Sequence, residues 1–398
     1  MSISTSETVM PESAKSDWFA LIILTITAIV FVTAELLPVG ILPEISASFQ
    51  QPIGRVGLMV TGYAWTVAIS AVLITSYLAS LERRKLLFFI SVLFAVANFM
   101  VACSSSLAVL FIARVIGAFS HGVFWSIAGP LCLRLSGHTS KARVATVVFS
   151  GIAIATVVAV PAGTVLAQHL GWQAAFASIA FINLIIAFLV VVRFPPTLTS
   201  ESRSYLSQLP QIICHPLLRR LFPSTALALT GHFCAFTYIS LLLIKGVGVS
   251  PAHLAFYLFL FGGAGVIGNV LAGKLVDSQL KQACLWIMIV MAIAIMLCAF
   301  LPLGASISAG FLVIIWGAGI CMLTVSIQSL ILTLPIQIAD VASAMNVSMF
   351  NVGIGSGALF GGLIVDHMPL EAVALVGGIT LLMAAAIMAW PIKEKIYE

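Results

Sequence analysis

Twelve stretches of this 398-residue chain are apolar for roughly 20 residues, the length a helix needs to cross the hydrocarbon of a bilayer. They run near 18–42, 56–79, 86–104, 107–135, 143–169, 173–192, 220–244, 252–276, 283–301, 307–333, 341–365 and 371–390. Inside a bilayer every backbone polar group must be paired internally, so such stretches can only be helices. The composition rules out a soluble alternative. Only 8% of residues are charged and 61% are hydrophobic, where a soluble domain carries about 25% charged residues.

The charges that remain are lopsided. With both termini on one side, fifteen of the eighteen Lys and Arg residues fall there: Lys15, Arg83, Arg84, Lys85, Arg134, Lys141, Arg143, Arg193, Arg203, Arg219, Arg220, Lys274, Lys281, Lys393 and Lys395. Only Arg55 and Lys245 fall opposite, and Arg114 lies within a span. Basic residues near span ends stay in the cytoplasm during insertion, so both termini are expected there. The net charge of +5 then reflects orientation, not nucleic-acid binding, because the bases form no patch with interleaved aromatics. Residues 1–17 read as an uncleaved cytoplasmic tail, since no small-residue cleavage site follows them. The seven Cys have no metal-ligand spacing and read as small packing residues.

The polar, Pro-containing segment 193–219 divides the chain into a six-span half at 18–192 and another at 220–392, with a short tail at 393–398. The halves look duplicated. Gly151, Ala155, Ala159 and Gly163 recur every four residues in the fifth span, and Gly353, Gly357 and Gly361 do so about 202 positions later. Ser76-Tyr-Leu-Ala-Ser80 is echoed 197 positions later by Gly273-Lys-Leu-Val-Asp277. Small residues four apart let helix backbones approach closely. A duplicated bundle of this kind places a solute site near mid-membrane, between the halves. The expected fold is therefore all-α, with twelve transmembrane helices in two pseudo-symmetric six-helix bundles.

Several motifs carry a family resemblance across nearly the whole chain. They are Ala34-Glu-Leu-Leu-Pro-Val-Gly40, Gly62-Tyr-Ala-Trp65, Glu82-Arg-Arg-Lys-Leu86, Arg114-Val-Ile-Gly117 and His121-Gly-Val-Phe-Trp-Ser126. Val160-Pro-Ala-Gly-Thr164, Gly171-Trp172 and Phe350-Asn-Val-Gly-Ile-Gly-Ser-Gly357 complete the set. The chain resembles the major facilitator superfamily, its drug–proton antiporter group, and within that group the bacterial sugar efflux transporters. It departs from the family pattern after the second span, where Ser76, Ser80 and Arg83 stand at positions usually held by Gly, Asp and Gly. Gln173 replaces an Arg that usually follows the Gly-Trp pair. Arg83, Arg84, Lys85, Pro161, Gly163, Gly273 and Asp277 are, by resemblance, the positions tied to conformational change. Pro161 removes a backbone donor and is expected to bend its helix.

Glu35 is the only acidic residue well inside a span. An ionisable group in hydrocarbon costs about 2.5–3.5 kcal/mol, so it persists by facing a cavity, pairing or taking a proton. It reads either as a proton carrier or as a carboxylate near the outer end of its helix, bonded to backbone freed by Pro38 and Pro43. Arg114 stays charged; the resemblance implies proton coupling, and the alternative is an Arg bonded to carbonyls of neighbouring helices. His121 and Trp125 share its helix face at 100° per residue, and His121 joins the proton-coupling candidates because His changes charge near neutral pH. Tyr63, Trp65, Trp125, His232, Phe236, Tyr238, Gln328, Asn346 and Asn351 are the aromatic and amide candidates for a solute cavity. Asp340 and Asp366, near span ends, are expected to be solvated loop residues.

These residues point away from chemistry on a covalent bond. No His-Glu-x-x-His and no paired acids within a span occur, and the glycine runs lack the Lys-Ser or Lys-Thr of a phosphate loop. No cofactor, nucleotide or metal is implied. The resemblance implies a proton-coupled secondary exporter in a bacterial inner membrane, a monomer, moving a small sugar-like solute. A chloramphenicol-type drug or a nucleoside is the alternative cargo, and uptake by symport the alternative direction.

Overall fold

The computed structural model describes residues 17–77, 81–137, 139–196, 212, 214–275 and 279–390. Ser80, Asp277, most of 193–219 and both terminal tails lie outside the described residues. All the regular structure described is helical, in twelve rods. The first four are α1 (Trp18–Phe49), α2 (Ile53–Tyr77), α3 (Arg83–Ala102) and α4 (Leu107–Arg134). Next come α5, built from Lys141–Ile154, a π-helical turn Ala155–Ala159 and Val160–Leu170, and α6 (Trp172–Arg193). The second half begins with α7, made of Leu218–Phe236, Ile239–Leu241 and a π-helical Leu242–Val247. It continues with α8 (Leu254–Leu275), α9 (Leu280–Cys298), α10 (Ser306–Leu332), α11 (Ile336–His367) and α12 (Glu371–Ala389). Among the described residues, ten helices are individually long and apolar enough to cross a membrane, and the two parts of α7, bent by 41°, make up to eleven.

Three irregularities interrupt the helices, and two of them have a local cause. α1 was expected to end near 42 but continues to Phe49 through Pro38 and Pro43. A membrane helix tolerates proline where neighbours pair the freed carbonyl. α5 carries its irregularity just before Pro161, whose missing N–H cannot close the helical ladder there. α7 breaks after Phe236, a bend that no proline at that point announces.

The small-residue stripes do what their spacing implies. A side chain on Gly151 would strike Thr25 O at 2.8 Å and Ala28 on α1, and one on Gly353 would strike Ala226 O at 2.7 Å and Leu229 on α7. Thr25 and Ala28 lie 201 positions before Ala226 and Leu229, so the α1–α5 and α7–α11 pairs are the same packing unit twice. Gly357 and Gly361 continue the α7 seam against Cys234, and Gly163 packs against Leu37 of α1.

The halves meet along α2–α11 and α5–α8. Calling the end with the chain termini the tail end, the opposite, distal end carries Gly54 N donating to Asp366 Oδ1 at 2.9 Å and Gln168 Nε2 donating to the Pro251 carbonyl at 2.9 Å. Nearer mid-helix, Thr61 Oγ1 donates to the Gly355 carbonyl at 3.0 Å and Ser348 Oγ to the Ala68 carbonyl at 3.3 Å. Asp366 is exposed, as expected, but it lies in the last turn of α11 and its carboxylate bonds Gly54.

Candidate functional site

Pro38 creates the first half of the site. Its ring nitrogen has no hydrogen, so the carbonyl of Ala34, four residues back, has no partner within α1. Arg114 Nη1 donates to that carbonyl at 2.7 Å. The guanidinium carbon sits 4.0 Å over the Tyr63 ring from α2 and 6.0 Å from Phe176 of α6, an arrangement in which ring quadrupoles favour a cation. Arg114 is 2% exposed, and among the described residues its Nε and Nη2 have no protein partner. The structural reading of Arg114 thus holds for one nitrogen and leaves two free.

His121, one face along α4, joins three helices. Trp125 Nε1 donates to its Nε2 at 2.6 Å, and its Nδ1 lies 2.6 Å from Tyr63 Oη. Indole N–H is a donor only, so Nε2 accepts and a neutral ring carries its proton on Nδ1, donating to Tyr63. Glu35 Oε2 stands 3.9 Å from the same Nε2. Phe31, Phe94 and Phe124 enclose the cluster, with Phe31 stacked 3.8 Å from Phe94 and edge-on to His121. Trp125 itself is half-buried and stacks 5.6 Å from Phe149 of α5.

The second half holds a different cluster. His232 and Phe236 of α7, Phe261 of α8 and Trp316 of α10 are all buried. Trp316 Nε1 donates to His232 Nδ1 at 2.8 Å. His232 lies nearly parallel to Phe236 at 5.0 Å and Phe236 to Phe261 at 4.5 Å, with Trp316 edge-on.

The structure gathers Glu35, Tyr63, Arg114, His121 and Trp125 at one node and His232 with Phe236 at another. It disperses the remaining candidates. Trp65 packs on Gly355, and Tyr238 donates to the Ala358 carbonyl at 2.9 Å beside Gly57 and Gly362, so both belong to the α2–α11 seam. Gln328 Nε2 donates to Ser343 Oγ at 2.8 Å, while Asn346 and Asn351 are buried on α11. Arg83 is buried, Arg84 bonds the Val191 carbonyl of α6, and Lys85 pairs with Glu82 at 3.3 Å. A side chain on Gly273 would meet open space. Phe149, Phe261 and Trp316 were missed; Trp316 was findable, lying 202 positions after Arg114.

Two six-helix bundles meeting along α2–α11 and α5–α8, with polar nodes buried inside, define a membrane transporter. The chain matches the family model of the Major Facilitator Superfamily over residues 23–349 and belongs to that superfamily. It is a multi-pass membrane transporter and not an enzyme. Its fold is shared with a bacterial homologue of the human lysosomal transporter Spinster in an inward-facing, occupied conformation, at 15% identity, 94% coverage of this chain, 97% of that chain and TM-score 0.76. The nucleoside transporter NupG is similar at 13% identity, 93% and 98% coverage and TM-score 0.77. A D-xylose–proton symporter is similar at 18% identity, 95% and 98% coverage and TM-score 0.75. At these identities the likeness concerns the fold.

Proposed function

We propose that this transporter is a proton-coupled secondary exporter of small solutes, sugars or sugar derivatives, in a bacterial cytoplasmic membrane, and that it belongs to the drug–proton antiporter group. Solute would enter from the cytoplasm between the bundles 18–192 and 220–392, and protons from outside would load Glu35. Rocking of the bundles would then exchange the two faces. The carrying observation is the node itself: one carboxylate deep in a span, 3.9 Å from a histidine that is hydrogen-bonded on both ring nitrogens. The lone base within a span lies on the same helix as that histidine. The excess of Lys and Arg at the tail end supports cytoplasmic termini, and the bonds at the distal end support a form closed to the outside. The sugar assignment rests on the motif resemblance. Because one fold relative is a nucleoside transporter and another a symporter, nucleosides and uptake belong in the test.

Purified protein in liposomes with a trapped pH dye, under an imposed proton gradient, is challenged in turn with arabinose, a thiogalactoside, a nucleoside and chloramphenicol. Proton flux on adding one class, directed against solute movement, is the expected result. Flux of both in the same direction would replace export by symport. Silence across the panel would overturn the proposal.

A further inference from the structure

Trp125 holds the one nitrogen that Glu35 needs. Its indole N–H donates to His121 Nε2 at 2.6 Å, and Glu35 Oε2 waits 3.9 Å from that atom. The other ring nitrogen is committed to Tyr63 at 2.6 Å. A protonated Glu35 has an O–H to donate, and the Nε2 lone pair, 3.9 Å away, is an acceptor that a small side-chain shift would bring within hydrogen-bond distance. That lone pair serves one donor at a time. Trp125, like Glu35, is half-buried, whereas Tyr63, Arg114 and His121 are buried, and the Trp125 ring stacks on Phe149, which is 42% exposed.

We infer that Trp125 is the positioning residue through which solute and proton exclude each other: the indole and protonated Glu35 compete for His121 Nε2. This rests on the reading of Glu35 as the proton carrier. A solute seated on the Trp125–Phe149 face presses the indole onto His121, which leaves protonated Glu35 without its acceptor and favours proton release. A proton arriving on Glu35 takes Nε2, unseats the indole and disturbs the solute. Linkage makes the two effects equal in size, and their sign is that of antiport. The charged and titratable groups facing Glu35 are Arg114 and His121 of α4 and Tyr63 of α2. Among the described residues, α5, α6, α7 and α8, which also pack on α1, add none in contact with its carboxylate.

The test needs no solute. The isotope-labelled indole N–H signal of Trp125, assigned by its loss in Trp125→Phe, is followed in the full-length protein from about pH 5 to 9, a range across which a buried carboxyl can titrate. The expected result is a signal that moves with pH in the wild type and stands still in Glu35→Gln. A stationary signal in the wild type overturns the competition while leaving Glu35 free to carry protons. A signal that moves equally in Glu35→Gln overturns the carrier assignment itself. In liposomes, Trp125→Phe keeps the aromatic stack and removes the donor. Solute-driven proton flux should fall about tenfold, and solute affinity should no longer change with pH. Weakened binding that keeps its wild-type pH dependence would mark a structural role and sink the proposal.

Discussion

The two halves fill one position in opposite ways. The packing unit repeats at 201 to 202 residues, which puts Phe236 in the register of Glu35 and Trp316 in that of Arg114. The 197-residue offset of the α2 and α8 loops brings Tyr63 near the register of Phe261. In the first half a guanidinium lies over a phenol and reaches a proline-freed carbonyl. In the second, an indole stands edge-on to two phenyl rings and donates to a histidine. Duplication preserved the packing and separated the chemistry. Charge sits in one copy, and dispersion among aromatic rings fills the other. Proton handling is therefore expected to be a property of the first half alone.

The most severe break in that comparison is Glu35→Gln, which should abolish proton-coupled flux in the liposome assay while leaving elution on size exclusion unchanged. Coupled flux at the wild-type level would remove the carboxylate from the mechanism. Arg114→Lys should come next, lowering flux about tenfold, because an ammonium cannot reproduce a stacked planar fork. Pro38→Ala gives the Ala34 carbonyl an N–H within α1 and so takes away the bond that seats Arg114. Flux should drop about threefold, the effect of roughly 0.6–0.7 kcal/mol of lost positioning, less than a typical hydrogen bond. Thermal stability should hold or rise, and a lower melting temperature would contradict this account.

Matched substitutions sharpen the other side of the comparison. Gly151→Val and Gly353→Val face equivalent contacts and should each destabilise by about 1–3 kcal/mol through overpacking. Unequal losses in thermal melts would show that the two seams do not carry equal load. The mildest change is Trp316→Phe, which keeps the ring and removes the bond to His232. Protons moved per solute should stay constant, with solute affinity changed no more than about fivefold, since a typical hydrogen bond contributes about 1 kcal/mol. A changed proton count would place coupling in both halves.

The membrane path was legible because the signals are local. Apolar length gives each span, and the four-residue spacing gives each seam. The His121–Trp125 bond also follows from one helix, as residues four apart share a face. What escaped depends on pairs of helices. Nothing in the order of residues tells how α2 is rotated against α4, which lays Tyr63 beneath Arg114, or that Tyr238 turns into the α2–α11 seam instead of a cavity. The break in α7 has no proline to announce it. Gly-rich spacing told where backbones touch but not that Phe149 would stack on Trp125.

Asp366 closes the first turn of a helix in the other bundle: its carboxylate accepts from Gly54 N, one of the amides that the start of α2 cannot satisfy by itself. An N-terminal cap of this kind contributes about 1 kcal/mol. α2 is thus a finished helix only while its neighbour is docked. Were the bundles to part at that end, the opening turn of α2 would have to find water or fray, so this one bond works as a light spring that pulls the doorway shut.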